Sequence, residues 1–279
     1  MQGNPLTQYY RQPKIYLQLP SNGVYYSEDF LDGDPSNLSV FGMTAMDEIM
    51  LKTPDALFTG EAVVEVVKSC IPAIVDPWQI PQIDIDSILI ALRIATYGEQ
   101  MPLEFKCEKC EAENDLELDL SKTLDYFHTI SFDSSIKIND LTIHFVPLTY
   151  RQQTQIAIDT YQLQRRLYQI GRQKNNQETV SSQNEALNEI TKQLNQIQMA
   201  SFKECIAQID TKKETVTNKE FINEWLDNAD KTYYDRIKTH LLNMRERWTV
   251  PQQHCKCSEC GHPTIVRVGF DNSNFFGNP

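Results

Sequence analysis

The chain has 279 residues, of which 38 are acidic and 26 are basic, so that its net charge is −12. Nucleic-acid binding depends on Lys and Arg that displace counterions, and this charge balance therefore disfavours DNA and RNA as partners. No apolar run is long enough to span a bilayer, and the N-terminus lacks the regions of a signal peptide. We therefore expect a protein without a membrane span in a reducing cytoplasm.

Residues 1–43 predict an N-terminal arm followed by a β-hairpin. The first 13 residues are polar and contain two prolines, which is typical either of an arm that a partner orders or of a frayed terminus. Alternation over residues 14–19 predicts a strand. The Leu-Pro-Ser-Asn-Gly turn that ends it allows residues 24–26 to return as a second strand.

Residues 44–100 predict a helical module. Thr44 is a suitable N-cap, because Asp47 and Glu48 follow it in the first turn of the helix. Thr59 or Gly60 opens a further helix, which carries a broad apolar stripe. The stripe consists of Val63, Val64, Val66, Val67, Cys70 and Ile71.

The last helix of this module is predicted to be capped by Asp84 or Asp86 and to end at Gly98. Arg93 lies among its apolar positions. Two interpretations of this arginine are open: a buried anchor for Asp84, Asp86 or Asp47, or a side chain whose charged end reaches solvent.

Residues 101–148 and 247–279 are predicted to form the two halves of a zinc ribbon. Each half contains one Cys-x-x-Cys pair next to apolar, strand-like runs. Such a turn places two thiolates on the same side of an ion, and Zn²⁺ prefers four ligands at the corners of a tetrahedron. The predicted ligands are Cys107, Cys110, Cys257 and Cys260.

Two alternatives accompany this prediction. A thioredoxin-type redox pair has the same Cys-x-x-Cys spacing, but it belongs between a strand and a helix of a βαβ unit. In the second half, His254, Cys255 and His262 compete for a ligand position. Gly261 directly follows the Cys-x-x-Cys pair, where a tight turn would use it, so we favour that pair.

A closed site of four thiolates leaves no position for an activated water, so the predicted zinc is structural and not catalytic. The surroundings of the first pair are acidic and would repel phosphate groups. The acidic residues are Glu104, Glu108, Glu111, Glu113, Asp115, Glu117 and Asp119, against Lys106 and Lys109. The alternative function is a zinc-ribbon nucleic-acid-binding or transcription accessory protein.

Apolar residues after the first pair predict a β-hairpin that continues the sheet of the ribbon. Residues 130–132 predict a short strand. Residues 136–138 and 141–146 predict two more strands, separated by the turn Asn139-Asp140.

Residues 149–246 are predicted to be helical. Their Gln-rich part, about 150–200, predicts a helical hairpin with a polar tip at residues 171–182. A hairpin that packs on itself and an arm that binds a partner are both compatible with this pattern. The apolar residues at helical spacing are Ile156, Tyr161, Leu163, Leu167, Ile170, Leu187, Ile190, Leu194 and Ile197.

The rest of this segment predicts a core helix over residues 202–209 and a small hairpin over residues 210–216. Thr217 is then expected to cap a helix together with Glu220. The inward residues predicted for this helix and for the one that begins near Asp230 are Phe221, Ile222, Trp225, Leu226, Ile237, Leu241, Leu242 and Trp248.

Enzymatic activity is not expected. The sequence contains no Gly-rich phosphate loop, Gly-x-Ser-x-Gly elbow or His-Glu-x-x-His helix, and its five histidines form no recognisable constellation of nucleophile and base. The fold class that the predicted elements indicate is α+β, mainly helical, with a zinc-ribbon-like β module formed by the two distant cysteine pairs.

Several motifs follow one another in a recognisable order. They are the Leu19-Pro-Ser-x-Gly23 turn, the helix entry Met43-Thr-Ala-x-Asp-Glu-x-x-Leu51, the helix Asp84-x-Asp-x-Ile-Leu-Ile-Ala-Leu-Arg93, the two cysteine pairs, Leu148-Thr-Tyr150 and Phe275-Phe276. In this order they resemble the baseplate hub proteins of T-even-type contractile-tailed bacteriophages, a family described as hub subunits or hub assembly chaperones. The likeness covers residues 14–148 and about 217–276, and nothing over residues 165–200.

The resemblance implies a non-enzymatic phage protein that helps to build the baseplate hub or lies within it. Its partners would be other baseplate, hub and tail proteins. It would be located in the host cytoplasm during assembly, and in the tail baseplate of the virion if it is retained. The resemblance also supports the four predicted cysteines as zinc ligands.

Overall fold

The computed structural model describes residues 4–172, 177–266 and 268. Helices make up about half of the chain and the strands form small antiparallel sheets, so the predicted α+β class is confirmed. The chain divides into two compact units. Unit 1 draws its described residues from Met1–Ser131 and Arg247–Pro279, and unit 2 draws them from Phe132–Glu246. The finer division into five segments stays a prediction.

The helices and strands have the following bounds. In chain order they are β1 (Pro13–Leu17), β2 (Leu38–Phe41), α1 (Ala45–Leu51), α2 (Pro54–Phe58), α3 (Glu61–Cys70), α4 (Gln82–Tyr97), β3 (Gln100–Lys106), β4 (Glu113–Asp119), α5 (Leu120–Thr129), β5 (Ser135–Ile138), β6 (Leu141–Phe145), α6 (Tyr150–Arg172), α7 (Gln177–Cys205), β7 (Ile206–Asp210), β8 (Thr215–Val216), α8 (Lys219–Asn228), α9 (Lys231–Arg247), β9 (Gln253–Lys256) and β10 (Pro263–Val266).

Helix α4 forms the centre of unit 1, where it contacts β1, β2, α3 and α5. Its side chains are buried from Ile83 to Ala95 except at Asp86, as is typical of a helix that is apolar on all faces. The helix ends at Tyr97, and the residue that follows is the predicted stop Gly98, with a φ of +94°. The predicted start was wrong, because α4 begins at Gln82 and Asp84 already lies in its first turn.

The structure confirms the predicted cap at Thr44 and excludes one of the two interpretations of Arg93. Thr44 caps α1 as predicted, in a capping box in which the Asp47 N–H donates to Thr44 Oγ1 at 3.2 Å. Arg93 is buried, with 2% of its surface exposed, so its charged end does not reach solvent. Its guanidinium lies 5.2 Å from the centre of the Tyr97 ring.

The predicted return of the first strand at residues 24–26 was wrong, because β1 pairs instead with β2 in an antiparallel register. The intervening turn places Asn22 and Gly23 in the left-handed region, with φ values of +50° and +76°. This turn packs tightly, since a Cβ at Gly23 would lie 2.9 Å from the side chain of Pro35. The Leu19 N–H also donates to the Pro35 carbonyl at 2.8 Å.

Unit 2 contains an antiparallel sheet in the order β5-β6-β7-β8. The hairpin predicted at residues 136–146 is confirmed, with Asn139 at a φ of +54° in its turn. Its predicted continuation of the ribbon's sheet was wrong, because β6 pairs with β7 and because α5 follows β4 directly. Residues 130–132 lie outside every strand. The core of the unit comprises Ile138, Ile143, Phe145, Ile206, Ile209, Ile222, Leu226 and Ile237.

The predicted helical hairpin is present, because α6 and α7 pack against each other. Leu163 and Ile190 are buried as the apolar spacing indicates, whereas Tyr161 is 51% exposed. The predicted tip at residues 171–182 was too long, because α7 is already helical at Gln177; residues 173–176 lie outside the described residues.

Three details between α7 and α9 differ from the prediction. Helix α7 ends at Cys205, and the residues that follow form β7. Asn218, not Thr217, caps α8, because its side chain accepts hydrogen bonds from the N–H groups of Glu220 and Phe221. Phe221 and Leu242 were predicted to point inward but are 61% and 43% exposed.

Candidate metal centre

The first cysteine pair lies in the turn between β3 and β4. These strands pair in register from Gln100 opposite Asp119 to Lys106 opposite Glu113. The Cys107 N–H donates to the Ala112 carbonyl, and the Cys107 carbonyl accepts from the Glu111 N–H, both at 2.9 Å. Residues 107–114, which we call the first knuckle, therefore form a tight turn that presents both sulfurs on one side.

The second pair lies in the turn between β9 and β10, which pair from Lys256 opposite Pro263 onwards. The Cys257 N–H donates to the His262 carbonyl, and the Cys257 carbonyl accepts from the Gly261 N–H, again at 2.9 Å. Residues 257–264, the second knuckle, thus repeat the hydrogen bonds of the first. Gly261 has a φ of +66°, as its predicted role in a tight turn requires.

The two knuckles bring four sulfur atoms together. The Sγ atoms of Cys107 and Cys260 lie 3.7 Å apart, and those of Cys110 and Cys257 lie 3.6 Å apart. All four lie within 4.8 Å of one another. A tetrahedral ion with metal–sulfur bonds of about 2.3 Å would separate its sulfur ligands by about 3.8 Å. A disulfide would instead require about 2.05 Å, and all seven cysteines are free.

Hydrogen bonds within and around the cluster shift the pKa values of Cys107, Cys110 and Cys257. Backbone N–H groups of Cys110 and Lys109 aim at the Cys107 sulfur and lower its pKa. The Cys260 N–H acts in the same way on Cys257 and lowers its pKa to about 6. The Ala112 N–H lowers the pKa of Cys110, but hydrogen bonds to the neighbouring sulfurs and burial outweigh it and raise that pKa to about 12. The pKa values of neighbouring sulfurs are thus shifted in opposite directions, as is expected for thiols that interact closely.

The competing ligands of the second half are placed apart from the sulfurs. Among the residues that the structure describes, the group that could hold a metal consists of the four predicted cysteines and includes none of His254, Cys255 or His262. Cys255 lies on β9 opposite Thr264. His262 contributes its backbone carbonyl to the knuckle turn. The four cysteines favoured from the sequence therefore lie together, and their role as metal ligands stays a prediction.

The outer face of the β3–β4 hairpin is acidic. Glu104 lies directly opposite Asp115 in the register, and both side chains are exposed. Like charges at such positions repel each other. The exposed pair between Lys106 and Glu113, at 3.6 Å, neutralises only one acidic group at the end of the hairpin. The excess of acidic groups on this surface repels other negative charges.

Two supports of the centre were not predicted. Phe127 on α5 stacks on Trp248 with ring centres 6.3 Å apart, and the Tyr126 hydroxyl donates to the Arg247 carbonyl at 3.2 Å. These contacts hold the segment that leads into β9. Asp119, whose side chain caps α5, was the sequence signal for this helix. The other support is Asn114, which ends the first knuckle and contacts the second.

Among the described residues, no helix combines the length and apolarity needed to cross a membrane.

One known protein family matches most of the chain. Neither curated proteins nor solved structures gave a significant match to the chain. A family model described as T4 bacteriophage base plate protein matches residues 42–277, a span that contains both knuckles and also the Gln-rich helices for which the sequence motifs gave no resemblance. The chain therefore belongs to the T4 bacteriophage base plate protein family.

Proposed function

We propose that this protein acts, without enzymatic activity, in the baseplate hub, either as a hub component or as a chaperone of hub assembly. Membership of the base plate family supports other phage proteins as its partners. The order of the sequence motifs supports the hub as the part of the baseplate concerned. Assembly takes place in the host cytoplasm, and a retained component lies in the tail of the virion.

We further propose that one structural Zn²⁺ is bound by Cys107, Cys110, Cys257 and Cys260. The observation that carries this proposal is the 3.6–3.7 Å spacing of sulfurs that lie 147 and 153 positions apart in sequence. Four thiolates and one Zn²⁺ carry a formal charge of −2 and leave no position for a reacting water. The ion would therefore supply stability and not chemistry.

The placement of the four cysteines explains what the ion would stabilise. Both knuckles belong to unit 1, while unit 2 lies between them in sequence. A cross-link between such distant residues restricts the unfolded chain more than a local one does. Zinc would thus hold the two separate stretches of unit 1 together around the insertion.

The zinc proposal is tested by metal analysis and by paired cysteine variants. We expect about one zinc per chain in the purified protein. The double variant Cys107→Ser with Cys110→Ser should lose the metal, unfold at a lower temperature and become sensitive to protease within unit 1. Cys255→Ser is the matched control, because this cysteine lies on β9 outside the sulfur cluster. A metal-free wild-type protein with an unchanged melting curve would contradict the proposal.

The hub proposal is tested by co-purification from cells that make the other tail proteins, followed by mass spectrometry of finished particles and of assembly intermediates. Presence in finished particles indicates a hub component, and presence only in hub intermediates indicates a chaperone. Recovery with other parts of the baseplate but never with hub proteins would overturn the assignment to the hub.

A further inference from the structure

The two knuckles have the same pattern of buried and exposed residues, but the type of their one buried polar residue differs. Each has a buried first cysteine, an exposed second cysteine and a buried eighth residue. That eighth residue is Asn114 in the first knuckle and Thr264 in the second, with 6% and 7% of their surfaces exposed. These two buried polar side chains differ in the hydrogen bonds that they make.

Asn114 connects the two knuckles through its side-chain amide. Its Oδ1 atom accepts hydrogen bonds from the Ser258 N–H at 2.7 Å and from the Ser258 hydroxyl at 2.9 Å. Its Nδ2 atom donates to the Ala112 carbonyl at 2.9 Å and to the sulfur of Cys257 at 3.6 Å. Both lone pairs and both N–H groups of the amide are therefore used. Three of these four bonds cross from the first knuckle to the second.

Thr264 makes no such connection. Its Oγ1 atom is buried and has no hydrogen-bond partner among the described residues. A threonine side chain is also shorter than that of asparagine and offers a single donor. The direct polar link between the knuckles at this position is therefore made from one side only, by Asn114.

We propose that Asn114 is a positioning residue of the metal centre that orients Cys257 and thereby sets the affinity of the site for its ion. This inference rests on the proposed zinc site. The N–H···S bond fixes the direction of the Cys257 sulfur, and the bonds to Ser258 fix the turn that follows this cysteine. Hydrogen bonds of this kind to metal ligands commonly contribute a factor of about 10 to 100 in metal affinity.

The test uses the full-length chain and Co²⁺ as a spectroscopic probe for Zn²⁺. Asn114→Asp keeps the shape of the side chain but replaces the N–H donor by an oxygen that repels the thiolate. Asn114→Thr installs the side chain that the second knuckle accommodates at the same position. Thr264→Val is the matched control, since it removes a hydroxyl without a described partner and keeps the volume. Circular dichroism verifies that each variant is folded.

We expect both Asn114 variants to bind Co²⁺ and Zn²⁺ about 10- to 100-fold more weakly than wild type in competition with a chelator. The control should bind like wild type. The sulfur-to-cobalt charge-transfer band of the Asn114 variants should move to longer wavelength, because a sulfur that loses a hydrogen bond is a better electron donor. A purely structural role for Asn114 would lower the stability of the metal-free protein without this shift.

The outcomes separate the inference from the proposal beneath it. Wild-type protein that takes up no Co²⁺ overturns the zinc site and the role of Asn114 with it. Wild-type uptake together with wild-type affinity in both Asn114 variants overturns the inference alone, as does an equal loss in Thr264→Val. If Asn114→Asp does not fold, Asn114→Thr and Ser258→Ala decide the question; Ser258→Ala, which removes one bond to Oδ1, should weaken binding less than Asn114→Thr.

Discussion

Glu111 and Gly261 occupy the same position in the two knuckles, and both have left-handed backbone, with φ values of +59° and +66°. Glycine adopts this region without strain, whereas a residue with a Cβ loses about 1–2 kcal/mol there. The second knuckle therefore forms this turn without backbone strain, and the first knuckle forms it with strain at Glu111. A Cβ at Gly261 would meet no atom within 4 Å, so strain of the backbone is the only cost of adding one.

Gly261→Ala should accordingly lower the free energy of unfolding by up to about 1 kcal/mol, because the strain it introduces is partly offset by the smaller freedom of alanine in the unfolded chain. Glu111→Gly is the reciprocal variant, and we expect it to be neutral or slightly stabilising, because the strain it relieves is offset by the greater freedom of glycine in the unfolded chain. Urea denaturation with saturating Zn²⁺ measures both. Equal destabilisation by the two variants would show that the left-handed geometry does not decide the cost.

The sequence predicts the sulfur cluster well because its signal is chemical and local. A Cys-x-x-Cys turn presents two sulfurs in a fixed geometry, and two such turns can share one ion wherever they lie in the chain. The capping box at Thr44 and the stop at Gly98 are local in the same sense. Each depends on backbone groups within a few residues, so long-range packing does not change it.

The errors in strand pairing concern contacts between residues far apart in sequence. Whether β1 pairs with residues 24–26 or with β2 is decided by the left-handed turn at Asn22 and Gly23 and by its packing on Pro35. The hairpin β5–β6 could in principle extend any sheet, and only its pairing with β7 assigns it to unit 2. The role of Asn114 was not predicted because its partners Cys257 and Ser258 lie in the second knuckle, far away in sequence.

Arg11 is expected to hold the N-terminal segment to unit 1. Its guanidinium donates to the Gly42 carbonyl at 2.7 Å, to the Ser69 carbonyl at 2.5 Å and to the Ser69 hydroxyl at 2.8 Å. It also lies 3.4 Å from the Asp47 carboxylate. A planar fork of donors can bind these acceptors together, and a lysine ammonium cannot reproduce that geometry.

Arg11→Ala should therefore lower the free energy of unfolding by about 1–3 kcal/mol, and Arg11→Lys should recover only part of the loss. The measurement is chemical denaturation, combined with limited proteolysis of the segment before residue 11. Arg245→Ala, which removes an exposed arginine from α9, serves as the control. Wild-type stability and protease resistance in Arg11→Ala would show that the network does not anchor this segment.

Asp84 should make the stability of unit 1 fall as the pH rises from about 4 to about 6. The carboxyl group is fully buried, and burial raises its pKa from 3.8 to about 6, although hydrogen bonds from Ser21 act in the opposite direction. The folded state therefore binds a proton in this window that the unfolded state has released. The contribution is fully present below the unfolded pKa and is lost once the pH exceeds the folded pKa.

The difference in unfolding free energy between wild type and Asp84→Asn isolates this effect, since the pH dependence of the metal centre cancels between the two proteins. Between pH 4 and pH 7, the free energy of unfolding of the wild type should fall by up to about 3 kcal/mol relative to that of Asp84→Asn. Asp86 is half-buried, and loss of hydration raises the pKa of its carboxyl to about 6 as well, so Asp86→Asn is the parallel variant, with the same sign expected. A difference that does not change with pH would mean that the Asp84 carboxyl has the same pKa in the folded and unfolded states.

Lys219 is expected to stabilise unit 2 by capping the C-terminus of α7. Its ammonium group donates to the carbonyl oxygens of Lys203 and Glu204 at 3.2 Å and of Ile206 at 2.8 Å. Carbonyls at a helix end lack partners within the helix, and a cation there also offsets the negative end of the helix dipole. Lys219→Met should therefore lower the free energy of unfolding by about 1 kcal/mol in low salt and by less in high salt.

The control is Lys231→Met, because a lysine at the first position of α9 opposes the positive end of its helix and its removal should not destabilise the protein. Urea denaturation at two salt concentrations separates the variants, and an equal, salt-independent change in both would rule out a capping role for Lys219.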